Sequence, residues 1–116
     1  MTPDAGDIVI LDFDPQAGNE IQKRRPGLVL SPKSFNATMK FAVICPITTT
    51  LGKHGFQIQL PAGIKNFSSP PDSVSTVKIE QMRSLDFVAR NAQIVAHVPD
   101  YFLLQCRSIA QRIIGL

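Results

Sequence analysis

The stretch Asp12 to Ser31 reads DFDPQAGNEIQKRRPGLVLS and holds the first residues able to do chemistry: Glu20, Lys23, Arg24 and Arg25, all in one polar loop. Three consecutive cations end that loop, and Pro26 opens an apolar run behind them. Proline pushes the residue before it towards extended backbone and is tolerated as the first residue of a strand. Arg25 is therefore expected at a strand mouth, as a planar fork for a phosphate or a carboxylate. The alternative is that it pairs with Glu20 and simply closes the loop. Three more polar groups stand out: Thr48 to Thr50 leaving an apolar run, Lys78 and Glu80 on one face of a strand, and Arg83 with Asp86 and Arg90.

Together these residue types could cleave a phosphodiester without a metal. A base must take the ribose 2′-OH proton, something must neutralise the charge growing on the phosphorane oxygens, and something must protonate the leaving 5′ oxygen. A carboxylate suits the first task, arginine the second, and hydroxyls can orient the phosphate. Each group also has a plain structural reading. Lys78 and Glu80 could be an exposed strand face, the threonines a turn cap, and Arg83, Asp86 and Arg90 a surface ion-pair cluster.

The elements that must hold these residues are short. Gly6 to Phe13 reads as a strand buried on both faces, followed by a loop of about ten residues, where hairpins usually use two to five. Gly27 to Leu30 reads as the second strand. Ser31-Pro32 looks like an N-cap with proline at the first helical position, opening only a turn or so over Lys33 to Ala37. Phe41 to Ile47 is a third, strongly apolar strand. Phe56 to Leu60, F-Q-I-Q-L, alternates cleanly and predicts Phe56, Ile58 and Leu60 facing inward. Pro61 to Asp72 has loop composition. Val74 to Ile79 predicts another strand, Gln81 to Asp86 an irregular segment, and Gln93 to Ala96 a last short strand.

Pro99 to Ile114 differs: Phe102, Leu103, Cys106, Ile109, Ala110 and Ile113 recur at helical spacing. Pro99 suits the first turn, and Arg107 and Arg112 suit the negative end of the helix dipole. Five to seven antiparallel strands with one terminal helix predict a mainly β (α+β) fold, a strongly bent sheet or partly closed small barrel.

The 116 residues, of which 44% are hydrophobic, read as a single domain, 1–116, with a real core. A formal charge of +3 permits a nucleic-acid partner without demanding one. Cys45 and Cys106 lie in apolar stretches and are expected as buried free thiols of a reducing compartment. His54 and His97 have no partner at metal-ligand spacing, so no metal and no cofactor is expected. The N-terminus lacks a signal-peptide pattern, and no apolar run approaches the ~20 residues that span a bilayer. A cytoplasmic protein without membrane contact is expected.

The chain resembles the MazF/PemK (Kid) family of toxins from type II toxin–antitoxin pairs. The motifs that carry the resemblance follow in order: GDIVILDFDP, AGNEIQKRRPGLVLS, CPITTT and VKIEQMRSLDFVAR. The resemblance implies an SH3-like barrel with a C-terminal helix, working as a homodimer. It implies sequence-specific, metal-independent endoribonuclease activity on single-stranded RNA, leaving a 2′,3′-cyclic phosphate and a 5′-OH. A cognate antitoxin is implied as partner, with DNA binding by the toxin–antitoxin complex.

Carried over by position, the catalytic arginine is Arg25, the catalytic threonine Thr48 and the loop glutamate Glu20. Lys78 and Glu80 stand where the PemK/Kid branch has an arginine and an aspartate acting as acid and base. Asn19, Gln22, Lys23, Arg24, Thr49, Gln81 and Arg83 are the expected RNA contacts. Asn19 replaces a histidine common in that branch and cannot titrate, and Ile21 replaces a glutamine. Lys78 loses a bidentate fork, while Glu80 keeps a base with longer reach. Two alternatives use the same architecture: a gyrase-poisoning toxin of the CcdB type, and a nucleic-acid-binding barrel whose catalysis has decayed.

Overall fold

The computed structural model describes residues 1–13, 24–49, 55–64, 67 and 74–116. Expectations for Asn19, Glu20, Ile21, Gln22, Lys23, Thr50 and His54 lie outside them. The sheet is built on β3 (Ala42–Thr48), a run apolar enough to be buried on both faces. It pairs with β2 (Arg24–Val29) along one edge, and β2 pairs with β1 (Asp7–Asp12), then β1 with β7 (Gln93–His97). Along its other edge β3 pairs first with β6 (Arg83–Leu85) and then with β5 (Thr76–Lys78), which carries β4 (Gln57–Gln59). All these pairings are antiparallel. The order is β4-β5-β3-β2-β1-β7, so the two end strands do not meet and the sheet stays open. The helices are α1 (Lys33–Met39) and α2 (Asp100–Ile114). No described helix is long and apolar enough to cross a membrane.

Opposite β3, the segment from Thr76 to Leu85 is one strand with a break in it. Ile44 faces Arg83 and Ile47 faces Val77, so Cys45 and Pro46 lie across from Lys78 to Met82. The excess residues form a single 3₁₀ turn, Ile79–Gln81. Pro46 explains why the ladder yields there. Leu30 N–H, just past β2, donates to the Val43 carbonyl of β3 at 2.9 Å, which places Leu30/Val43 in the hydrogen-bonding phase of the ladder. By alternation Gly27/Pro46 is a non-hydrogen-bonded pair, so the N–H that proline lacks would have pointed at the broken strand. A bulge opposite a missing donor loses little.

The sheet buries both faces. One carries Ile8, Leu28, Cys45, Ile47, Val77 and Val98 under Phe102, Leu103, Cys106, Ile109 and Ala110 of α2. The other buries Val9, Leu11, Phe13, Val29, Ile44, Leu85 and Phe87. Gly27 makes that second core possible. A Cβ there would stand 2.5 Å from Ile44 Cγ2 and 3.0 Å from Phe13 Cε2.

Several local expectations change. β2 starts at Arg24 rather than Gly27, because Pro26 fits inside the strand against Ile10. α1 is a seven-residue helix rather than a bare turn, and Ser31 does not cap it. The Ser31 hydroxyl instead donates to Asn36 Oδ1 at 2.6 Å and accepts from Val43 N–H at 2.8 Å, while the buried Asn36 amide binds the Pro3 and Ser31 carbonyls. A buried amide must be satisfied, and that demand outranks a cap. The segment expected to be irregular contains β6.

Phe56 lies outside β4 and is exposed, with Arg112 over its ring. In α2, Pro99 stands at the cap position, before the first turn, and Ile113, expected in the buried stripe, is exposed. Arg107 does not act on the helix end. Its Nε and Nη2 both donate to the Leu30 carbonyl, at 3.1 and 2.8 Å, and tie α2 to the end of β2.

Both cysteines are buried and free. Burial pushes the Cys106 thiol up to about 12, and it pushes Cys45 higher still, helped by Cys106 and Glu80 nearby. Unfolded thiols ionise near 9.0, so the folded state is favoured below that pH and loses this advantage as pH rises towards 12. Denaturant titrations should therefore show stability falling between pH 9 and 11, with a shallower fall in Cys106→Ala than in the wild type. Gly27→Ala should cost about 1–3 kcal/mol by overpacking between Ile44 and Phe13, read as a lower urea midpoint at unchanged slope.

Candidate active site

Arg25 lies in β2 across from Leu11 of β1 and is exposed. Its guanidinium makes no hydrogen bond or ion pair with any described residue. The β2–β3 register ends at Gly27 with Pro46, and carrying it two residues further sets Arg25 opposite Thr48. That position continues the non-hydrogen-bonded phase, where side chains come closest. Thr48, half-buried at the end of β3, faces Thr76 of β5, and Thr76 faces Gln59 of β4. Partners across an antiparallel sheet share a face, so Arg25, Thr48, Thr76 and Gln59 form one row of roughly 14 Å across four strands. Ile47, Val77 and Ile58 point the other way, into the core under α2. Thr76 is fully buried, and its hydroxyl has no hydrogen-bond partner among the described residues.

Lys78 shares the face of Thr76 and stands opposite Gln57. Glu80 does not follow the expected alternation from Lys78, because the strand ends and Glu80 sits in the 3₁₀ turn. Its carboxylate is nonetheless joined to the face: Gln57 Nε2 donates to Glu80 Oε2 at 2.8 Å. Gln57 escaped the sequence reading, although the F-Q-I-Q-L alternation already set both glutamines opposite the core. Thr49 is exposed just past β3, and Gln81 is exposed in the turn.

Arg83 is exposed, with its guanidinium carbon over the Phe13 ring, 5.6 Å from its centroid. The surface cluster expected of Arg83, Asp86 and Arg90 is organised around backbone instead. Asp86 Oδ1 accepts from Val88 and Ala89 N–H at 3.1 and 2.9 Å. Arg90 Nη1 donates to the carbonyls of Asp12 and Phe13. Asp86 thus satisfies N–H groups of the sharp turn from Phe87 to Asn91, where Asn91 has φ 55°, while Arg90 satisfies carbonyls at the end of β1.

Arg24, expected on RNA, directs its guanidinium into the fold. Nη1 meets Asp12 Oδ1 at 3.2 Å, and Nη2 donates to the carbonyls of Ile10 at 2.9 Å and Asn91 at 2.6 Å. Asn91 Nδ2 completes the brace on Asp12 Oδ2 at 3.1 Å. The neighbouring arginines thus part company: one is clamped to carbonyls, the other stands clear beside Thr48. Among the described residues no group of three or more His, Cys, Asp or Glu could hold a metal ion.

Residues 4–114 match the family described as the PemK-like, MazF-like toxin of type II toxin–antitoxin systems. The chain belongs to this toxin family. The endoribonuclease toxin ChpB of Escherichia coli (strain K12) is 36% identical over 101 residues, which cover 82% of this chain and 79% of ChpB. Endoribonuclease PemK of Escherichia coli is 30% identical over 99 residues, covering 82% and 69%. Among solved structures, MazF of Deinococcus radiodurans superposes with a TM-score of 0.81 at 36% identity, over 100% of this chain and 99% of that one. A MazE–MazF complex of the same organism gives 0.85 at 36%, over 100% and 98%. The seven-stranded sheet with its C-terminal helix is thus the MazF-type fold.

Because Arg24 and Asp12 share one brace, Arg24→Ala and Asp12→Ala should each lower the melting temperature. The double variant should lose less than the sum of the two, since both remove the same contacts. Full additivity in a thermal-melt cycle would show that the brace does not act as a unit.

Proposed function

We propose that this toxin is a metal-independent, sequence-specific endoribonuclease acting on single-stranded RNA as a homodimer in the cytoplasm, and that a cognate antitoxin silences it. Relatives named endoribonucleases and MazF crystallised with MazE support the reading. The observation that carries it is Arg25. An exposed guanidinium without a described partner, fixed on a strand beside a threonine hydroxyl, is arranged to receive an anion.

In this reading Arg25 takes the charge that develops on the phosphorane oxygens, and Thr48 orients the phosphate. A carboxylate, Glu20 or Glu80, accepts the proton of the ribose 2′-OH as its oxygen attacks phosphorus. The bond from phosphorus to the 5′ oxygen breaks, Arg25 or water supplies that oxygen with a proton, and a 2′,3′-cyclic phosphate remains. Lys78 adds positive charge as a point rather than a fork. Asn19, Gln22, Lys23, Thr49, Gln81 and Arg83 make the RNA contacts. The flat guanidinium of Arg83 suits stacking on an unpaired base, the usual way single-stranded RNA is read.

Purified protein should cut a long single-stranded RNA in EDTA, leaving 5′-OH and 2′,3′-cyclic phosphate ends. Arg25→Ala should lower the single-turnover rate by about 10²–10³-fold, as expected for loss of a charge-stabilising donor. Intact RNA with the wild type, or undiminished cutting by Arg25→Ala, would overturn the proposal.

A further inference from the structure

We infer that Thr76 is a second hydroxyl ligand of the phosphate that Arg25 and Thr48 receive, left without a partner in the free toxin and satisfied by bound RNA. The inference rests on the reading of the chain as an RNA-cleaving toxin and deepens it, by adding a binding residue that lies outside the motifs carrying the family resemblance.

A buried hydroxyl costs free energy unless it is bonded, so an unpaired one calls for a use. Thr76 is fully buried, and its Oγ1 has no hydrogen-bond partner among the described residues. Valine has nearly the same shape and would suit a buried strand position without that cost. The place of Thr76 supplies the use. Val77 and Ile47, one residue along each strand, turn into the core under α2. Thr76 and Thr48 therefore turn together to the opposite face, the face of the row that begins at Arg25.

The ladders fix how the two threonines stand. Leu60 N–H donates to the Ser75 carbonyl at 2.8 Å, which places Leu60/Ser75 in the hydrogen-bonding phase between β4 and β5. By alternation Thr76/Gln59 is a non-hydrogen-bonded pair, and the backbone N–H and C=O of Thr76 point to β3 instead. Thr48/Thr76 is thus a hydrogen-bonded pair, with Cα atoms about 5.5 Å apart. At that spacing two hydroxyls can bracket one phosphate group, each donating to a different non-bridging oxygen. An ionised oxygen is the strongest acceptor a neutral hydroxyl can meet. On the other side Gln59 stands in the close phase of its ladder and is exposed. Its long side chain is the part of the cover that swings aside as the phosphate enters. Arg25 meets the charge of that phosphate, and Thr76, which adds none, fixes its orientation.

The test uses the intact toxin and a short single-stranded RNA with one mapped cleavage site, made uncleavable by a 2′-deoxy sugar at that site. Thr76→Val removes the hydroxyl and keeps the shape. It should raise Kd roughly tenfold or more, as expected for losing a hydrogen bond to a charged oxygen, while the free variant unfolds at a urea midpoint no lower than that of the wild type. Thr76→Ser keeps the donor and should bind within about threefold of the wild type. The slope of log Kd against log salt should be the same in all three proteins, because no cation is lost. Wild-type binding by Thr76→Val, binding by Thr76→Ser as weak as by Thr76→Val, or a changed salt slope would each overturn the inference while leaving the ribonuclease reading intact. So would a lowered urea midpoint in Thr76→Val, which would show that the hydroxyl is already bonded in the free toxin. A wild type that does not cut the unmodified RNA overturns both.

Discussion

Phe13 is the residue on which the working face depends, and Gly27 is the reason it can sit where it does. With no Cβ at Gly27, the Phe13 ring and Ile44 close over β2 and seal the second core of the sheet. The same phenylalanine then serves twice more. Its ring carries the Arg83 guanidinium, and its carbonyl receives Arg90. One close approach of backbone and ring thus anchors the second core and an exposed cation, Arg83.

The arginines divide by what they touch. Arg24, Arg90, Arg107 and Arg112 donate to backbone carbonyls at strand ends, turns and a loop, where ladders stop and acceptors would otherwise be left over. Each is a tie between distant parts of the chain. Arg25 makes no such tie to a described residue, although it neighbours Arg24 and shares its strand. Alternation along β2 separates them: Arg24 turns to Asp12 and Asn91, while Arg25 faces the other way, beside Thr48. A mildly basic composition therefore says little about nucleic acid until the cations occupied by the fold are set apart.

What could be read from the residues was what depends on local pattern. The buried strands, Ile58 and Leu60 of F-Q-I-Q-L and the α2 stripe from Phe102 to Ala110 were legible because burial imposes its period on neighbouring positions. Arg25 before Pro26 was legible as a fixed cation for a similar reason. Three of the departures involve partners distant in sequence. Ser31 has the type and place of a cap, but Asn36, Pro3 and Val43 decide its bonds. Lys78 and Glu80 alternate on paper, but Pro46, more than thirty residues away, marks where that strand breaks. Gln57 was passed over because its bond is to Glu80, which the chain brings to it from far downstream. The family motifs reached further than pattern did, since they carry over positions that pattern cannot join.

The break opposite Pro46 also separates two lengths of the molecule that would otherwise move as one. Residues on either side of the 3₁₀ turn keep their own register on β3, so a change in the turn's length need not disturb either ladder. The carboxylate in the turn can be repositioned by insertion, deletion or a longer side chain while the arginine and threonine on β2 and β3 stay where they are. The reach of the Glu80 side chain thus becomes adjustable independently of the strands beside it.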